Sequence, residues 1–204
     1  MYKDFGKRIF DILLSMVLLI ILLPVFCLIS IAIKITSPGK IFFNQSRVGK
    51  NQKIFTIYKF RTMVTNAEQK GDGLFVFDEK DNRITAIGRF LRKTSLDEIP
   101  QLLNILFGEM SFVGPRPPVT YHPYEVGYYP DECLGRFDVK PGITGLAQVK
   151  LRNSVPWIDR IRLDVEYSKK VTFITDLKIF LETFLVVIKQ KNVVISEEHK
   201  KSLK

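Results

Sequence analysis

An α+β fold, mainly helical with one short β-hairpin, is what this 204-residue sequence predicts. Three observations predict it. Residues 12–33 form an uncharged apolar run, long enough for a helix that crosses a bilayer. Residues 41–45 and 53–58 are β-rich and flank a polar turn at 47–52, which reads as a hairpin. Apolar residues at helical spacing fill much of the rest, from 84–91 to 176–188. The chain divides accordingly into a Pro-broken membrane helix–break–helix at 1–36, a cytosolic domain on the membrane surface at 37–191, and a polar tail at 192–204.

The N-terminal run is too uniform and has no small-residue cleavage site after it, so it is not a cleavable signal. Pro24 sits inside it and predicts a kink or break. Both flanks are basic: Lys3, Lys7 and Arg8 before it, and Lys34 through Arg61 after it with no acidic residue between 34 and 67. Basic flanks mark the cytoplasmic side. A helix that enters, bends at Pro24 and returns to the same face satisfies both flanks. A straight span and a buried core helix remain the alternatives.

The remaining composition narrows the partners. A net charge of +10 calls for an anion, whether a phosphate substrate, acidic lipid or nucleic acid. Cys27 and Cys133 have neither disulfide nor metal spacing, which favours a reducing compartment. Two histidines are too few for a histidine metal cage.

Along the chain, Lys59 and Arg61 alternate with Phe60 at the end of the second β-run. They either face a phosphate or end an ordinary solvated strand. Residues 65–83 are polar and glycine-containing, either a mobile cover or a plain connection. Arg89 and Arg92 follow at i and i+3 on the next helix. Then come Asp97 and Glu98, adjacent acids beside Pro100. Proline is tolerated only in a first helical turn, so a helix holding 101–107 starts near Asp97 and ends at Gly108. Ser95 with Glu98 fits a capping box, and Asp97 fits an N-cap. The same place suits phosphate chemistry, where a carboxylate can act as nucleophile or as a Mg²⁺ ligand and Arg92 can grip oxygens.

Arg116 stands between Pro115 and Pro117, which would hold it with little freedom to lose on binding. A solvated turn arginine is the alternative. Gly142 and Gly145 suggest backbone in close approach to a substrate or another segment. His122, among tyrosines, reads as a packed or surface residue. Trp157 suits stacking on a base, the membrane surface or core packing. The amphipathic stretch 176–188 suits either the bilayer interface or the core.

Taken together, these pieces resemble the bacterial monotopic phosphoglycosyl transferases, the bacterial sugar transferase family of capsule, exopolysaccharide, O-antigen and glycoprotein assembly. The matching stretches are the Pro24-broken apolar N-terminus, 57–63, 92–102, 108–117 and 136–149, in order over nearly the whole chain. Leu23 stands where many members carry serine, and the match around Arg152 and Asn153 is looser. The resemblance implies transfer of a sugar-1-phosphate from a UDP-sugar to a polyprenyl phosphate, with Mg²⁺ as cofactor, at the cytoplasmic face of the bacterial inner membrane. It implies Asp97 as nucleophile and metal ligand, Glu98 as acid/base or metal-site partner, and Arg92 and Arg116 as phosphate contacts. The competing expectation is a non-catalytic membrane-anchored adaptor that binds anionic lipid through residues 34–61. Nucleic acid is not expected, since the cations are scattered and no base platform stands out. The oligomeric state stays open, a homodimer included.

Overall fold

The computed structural model describes residues 2–70, 81–151 and 155–188. The middle of the polar loop, Arg152, Asn153 and the 192–204 tail lie outside these residues. A π-helical turn, Tyr2–Gly6, leads into the long helix α1, Lys7–Thr36. The hairpin follows as β1, Phe42–Val48, and β2, Ile54–Phe60. Helices α2, Ala86–Thr94, and α3, Gln101–Phe107, come next. Strand β3, Ser111–Val113, precedes the short helix α4, Asp131–Leu134, and strand β4, Gly142–Thr144. Three helices close the chain: α5, Leu146–Lys150, α6, Trp157–Lys169, and α7, Phe173–Ile188. The architecture is α+β and mainly helical, as expected.

Helix α1 has a mean hydropathy of 3.2 over its most apolar window and is long enough to cross a membrane. Where the sequence predicts a break at Pro24, the helix runs through it. A proline removes one N–H from the ladder, while the turns on either side keep theirs. Leu22, Val25 and Phe26 pack against the core around the proline and hold both halves in one helix.

Thirty residues of helix span about 45 Å, yet both ends of α1 are fixed to the same domain. At the first end, Arg8 donates to the carbonyls of Ile105 and Leu106, at 2.5 and 2.8 Å, which satisfies the C-terminal end of α3. Asp11 accepts from the Ser111 hydroxyl and the Phe112 N–H. Lys7 pairs with Asp176 of α7, which also accepts from the hydroxyls of Tyr2 and Tyr167. At the far end, Ile33 is fully buried. Phe26 packs on Phe60 with ring centroids 4.8 Å apart.

The hairpin is antiparallel, with Phe42 opposite Phe60 and Val48 opposite Ile54. Asn51 and Gln52, both at positive φ, make the tight connection. Its inner face brings Ile57 and Phe60 into the core with Leu91, Leu102 and Ile105. Strand β2 would leave main-chain groups unpaired on its side facing α3. The buried Asn104 of α3 fills that need: its Oδ1 accepts from the Tyr58 N–H at 3.0 Å, and its Nδ2 donates to the Thr56 carbonyl at 2.7 Å.

Strands β3 and β4 pair in parallel. Gly114 lies against residues 140–142, and Gly142 and Gly145 both lie against Gly114, so closely that a Cβ on any of the three would collide with backbone. The glycines expected to let backbone approach something closely approach each other. Together with the Gly142 N–H to Pro115 carbonyl bond at 3.0 Å, they fix the 114–118 segment onto β4.

Candidate active site

Asp97 and Glu98 lie on a 3-10 turn, Leu96–Glu98, wedged between α2 and α3. Ser95 turns the chain there by adopting a left-handed conformation at the end of α2. The expected capping box is not formed. Ser95 makes no side-chain cap, and Pro100, not Asp97, occupies the N-cap position of α3. Glu98 points instead to Lys59 on β2, with Nζ at 2.5 Å from Oε1, and Arg116 Nη1 stands 3.6 Å from the same oxygen. A nearby ammonium is a stronger partner for a carboxylate than a backbone N–H, so the ion pair displaces the cap.

The two acids are therefore not equivalent. Burial pushes Glu98 up, but Lys59 and Arg116 outweigh it and hold the carboxyl well below its usual range. Burial pushes Asp97 up to about 6. Lys59 opposes this, the Glu98 charge adds to it, and Arg92 and Arg116 oppose it further. Among the described residues, the Asp97 carboxylate makes neither a hydrogen bond nor an ion pair, and it lines a cavity of about 1290 Å³. One acid is locked and permanently charged; the other is open to the cavity and titrates near neutrality.

Arg92 and Arg116 complete this wall. Arg92 is half-buried, and burial lowers its pKa, with Asp97 as the leading opposing charge. The Arg116 side chain is 44% exposed although Pro115 and Pro117 on either side are buried. Its carbonyl accepts from Arg136 Nη2 at 2.9 Å, and the same guanidinium pairs with Asp164 of α6 at 2.8 Å. So the proline-flanked loop is held by its backbone while its arginine reaches the cavity.

Lys59 lines the cavity, but as the partner of Glu98. Arg61 also lines the cavity, and its contacts there tie down the chain after α1. Its terminal nitrogens donate to the carbonyls of Ser37 and Pro38, at 2.8 and 2.6 Å, and to the Ser37 hydroxyl. The chain leaving α1 presents carbonyls without helical partners, and Arg61 is the cation within reach. Arg47 likewise donates to the Pro117 carbonyl at 3.0 Å. Several cations of the basic 34–61 run thus face inward, which weakens it as a lipid-binding surface. Pro24 is exposed on α1, away from the cavity lining, while Leu18 and Leu22 line it. His122 packs on the edge of Trp157 with ring centroids 5.4 Å apart, the packed role expected of it.

Among the described residues no group of three or more His, Cys, Asp or Glu could cage a metal. Mg²⁺ needs only one or two carboxylates when substrate phosphates and water fill its shell. Asp97, an open hard-oxygen ligand, fits that demand. Asn104, Arg136, Asp164 and Arg160 are residues that the motif reading did not single out. Asn104 had a signal, a lone amide inside the apolar helix 101–107. Asp164 and Arg160 sat in an evenly charged helix and had none.

The chain matches the family model described as bacterial sugar transferase over residues 2–190. It is 41% identical over 200 residues to the undecaprenyl-phosphate galactose phosphotransferase of Salmonella typhimurium, covering 91% of this chain and 41% of that protein. It is 41% identical to an uncharacterised sugar transferase of Bacillus subtilis, covering 89% of this chain and 87% of that protein. The UDP-glucose:undecaprenyl-phosphate glucose-1-phosphate transferase of Caulobacter vibrioides is 39% identical, with 88% of this chain and 68% of that protein covered. The fold and the match over nearly the whole chain define a sugar transferase. The chain belongs to the bacterial sugar transferase family.

Proposed function

We propose that the protein is a phosphoglycosyl transferase that moves a sugar-1-phosphate from a UDP-sugar to a polyprenyl phosphate, undecaprenyl phosphate in a bacterium, and releases UMP. This would be the first membrane step of a surface glycan or glycoprotein pathway. The observation that carries the reading is the inequality of Asp97 and Glu98: an unpaired, cavity-facing carboxylate beside one fixed by Lys59 and Arg116. An Asp97 oxygen attacks the β-phosphorus of the donor. The phosphorus–oxygen bond to UMP breaks, and UMP leaves with the electron pair. The resulting phosphosugar-aspartate is then attacked at phosphorus by the polyprenyl phosphate oxygen, which restores the carboxylate.

Arg92 and Arg116 hold phosphoryl oxygens and lower the cost of the developing charge. Glu98, whose pKa is depressed, serves as the fixed anion that orients Lys59 and Arg116 rather than as a proton carrier. Mg²⁺, when bound at Asp97 and the diphosphate, would neutralise further phosphate charge.

The membrane supplies the acceptor. Eleven large apolar side chains on α1 and six on α7 are exposed. At about 1.5–3 kcal/mol for each fully buried, leaving them half-wet costs on the order of 20 kcal/mol, more than a domain's usual stability. Lipid removes that cost. Because α1 is fixed to the domain at both ends, this supports a monotopic arrangement on the cytoplasmic face of the inner membrane rather than a straight span.

Membranes carrying the protein, given polyprenyl phosphate and a panel of UDP-sugars, should release UMP from at least one donor. Asp97→Asn should abolish release while keeping the circular-dichroism spectrum; retained turnover refutes the nucleophile. No release from any donor, with lipid binding unchanged in an Arg92→Ala/Arg116→Ala protein, would instead support the adaptor.

A further inference from the structure

The cavity also holds a second cationic group that the chemistry above does not use. Arg136 is 2% exposed and lines the cavity. Its Nη2 is engaged by Asp164 and the Arg116 carbonyl, while its Nε and Nη1 are buried with no acceptor among the described residues. Arg160 lines the same wall, stacked over the Trp157 ring at 5.3 Å, and its Nε also has no acceptor. Asp164 interacts with both Arg136 and Arg160. Burial and the like charge of Arg116 both disfavour a charged Arg160. Buried guanidinium donors without acceptors are costly, and two arginines sharing Asp164 leave an excess positive charge. An arriving anion removes both penalties.

We propose that Arg136 and Arg160, beside Trp157, form the subsite for the nucleoside-monophosphate half of the donor, binding its α-phosphate before and after the bond to the sugar phosphate breaks. The cavity's polarity selects the nucleotide over the lipid. Arg136, Arg160 and Asp164 make this part of the lining polar, whereas Leu18, Leu22, Phe43 and Phe184 are lining residues from α1, the hairpin and α7, and α1 and α7 carry most of the exposed apolar side chains. The inference rests on the transferase reading.

Arg160→Ala is the first test, with UMP as the probe. In wild-type protein reconstituted in nanodiscs, UMP should inhibit the reaction and bind in titration calorimetry. In Arg160→Ala, the UMP dissociation constant and the KM for the UDP-sugar should each rise about tenfold, the loss of one charge-assisted hydrogen bond. The KM for polyprenyl phosphate should not move. Arg160→Lys should recover part of the UMP affinity, and Arg136→Lys should weaken UMP binding with a kcat loss, since it also shifts Arg116. Unchanged UMP affinity in Arg160→Ala, with wild-type release of UMP intact, overturns this subsite alone. A rise in the acceptor KM without one for UMP reassigns the wall to the lipid phosphate and also overturns it. Absence of UMP release from wild type refutes the transferase reading itself.

Discussion

Asp97 titrates near 6 because it is buried beside a charged Glu98. As the nucleophile it must be ionised, so single-turnover UMP release should rise with pH through about 6 and then level off. Glu98→Gln removes the neighbouring negative charge and frees Lys59 to act on Asp97. Both effects lower the Asp97 pKa, so the midpoint should move to lower pH; an upward or absent shift contradicts the electrostatic account. The stability sign runs the other way. The folded pKa of Asp97 lies above its unfolded value near 3.8, so its contribution is fully present below that value and is lost as pH rises to about 6. Asp97→Asn should therefore be more stable than wild type at pH 7.5 by about 3 kcal/mol, and its advantage in Tm should vanish by pH 4. At this scale the sequence was only partly legible. The adjacency of Asp97 and Glu98 was plain, as was Arg116 between two prolines. What Glu98 does was hidden, because its partner Lys59 is 39 residues away and only the fold joins them.

The elements that place those residues are α3, the hairpin and the 114–118 loop. Asn104 joins α3 to β2 by two main-chain hydrogen bonds, and this holds Lys59 opposite Glu98. Asn104→Leu leaves a buried N–H and a carbonyl without partners, which should cost about 2–4 kcal/mol. Chemical denaturation measures that loss, and the kcat should fall with it. Arg61→Ala frees the carbonyls of Ser37 and Pro38 and should destabilise by about 1–3 kcal/mol; the KM for the UDP-sugar should stay at the wild-type value, and a large rise would return Arg61 to the phosphate site. The hairpin, the end of α3 at Gly108 and the Pro100 boundary were readable, because turn residues and proline carry local rules. The capping box was readable and absent, since a distant lysine competes for Glu98. The hold of Arg61 on two loop carbonyls was not legible, because such acceptors leave no mark in a sequence.

For the whole molecule, the proposed reaction asks how a soluble nucleotide-sugar and a lipid phosphate would meet at one carboxylate. Helix α1 is tied to the domain at Arg8 and Asp11 and again beside Ser37, and the proposed monotopic arrangement follows from these ties: both ends would stay on the domain's side of the bilayer. Cysteines placed at positions 2 and 40 should both be labelled only from the cytoplasmic side; labelling of position 2 from outside alone would restore the straight span. The apolar run made the long apolar helix legible. The continuous passage through Pro24 was not, because packing of Leu22, Val25 and Phe26 decides it. The cavity is lined both by apolar residues of α1 and α7, Leu18, Leu22 and Phe184, and by Asp97 and Glu98.

The central claim is that Asp97 carries the phosphosugar between the two substrates. Incubating the purified protein with a radiolabelled UDP-sugar in the absence of polyprenyl phosphate tests it most directly. The account predicts one equivalent of UMP per active protein and label retained on the peptide containing Asp97, both lost in Asp97→Asn. UMP appearing only after polyprenyl phosphate is added, with no label on the protein, would contradict it.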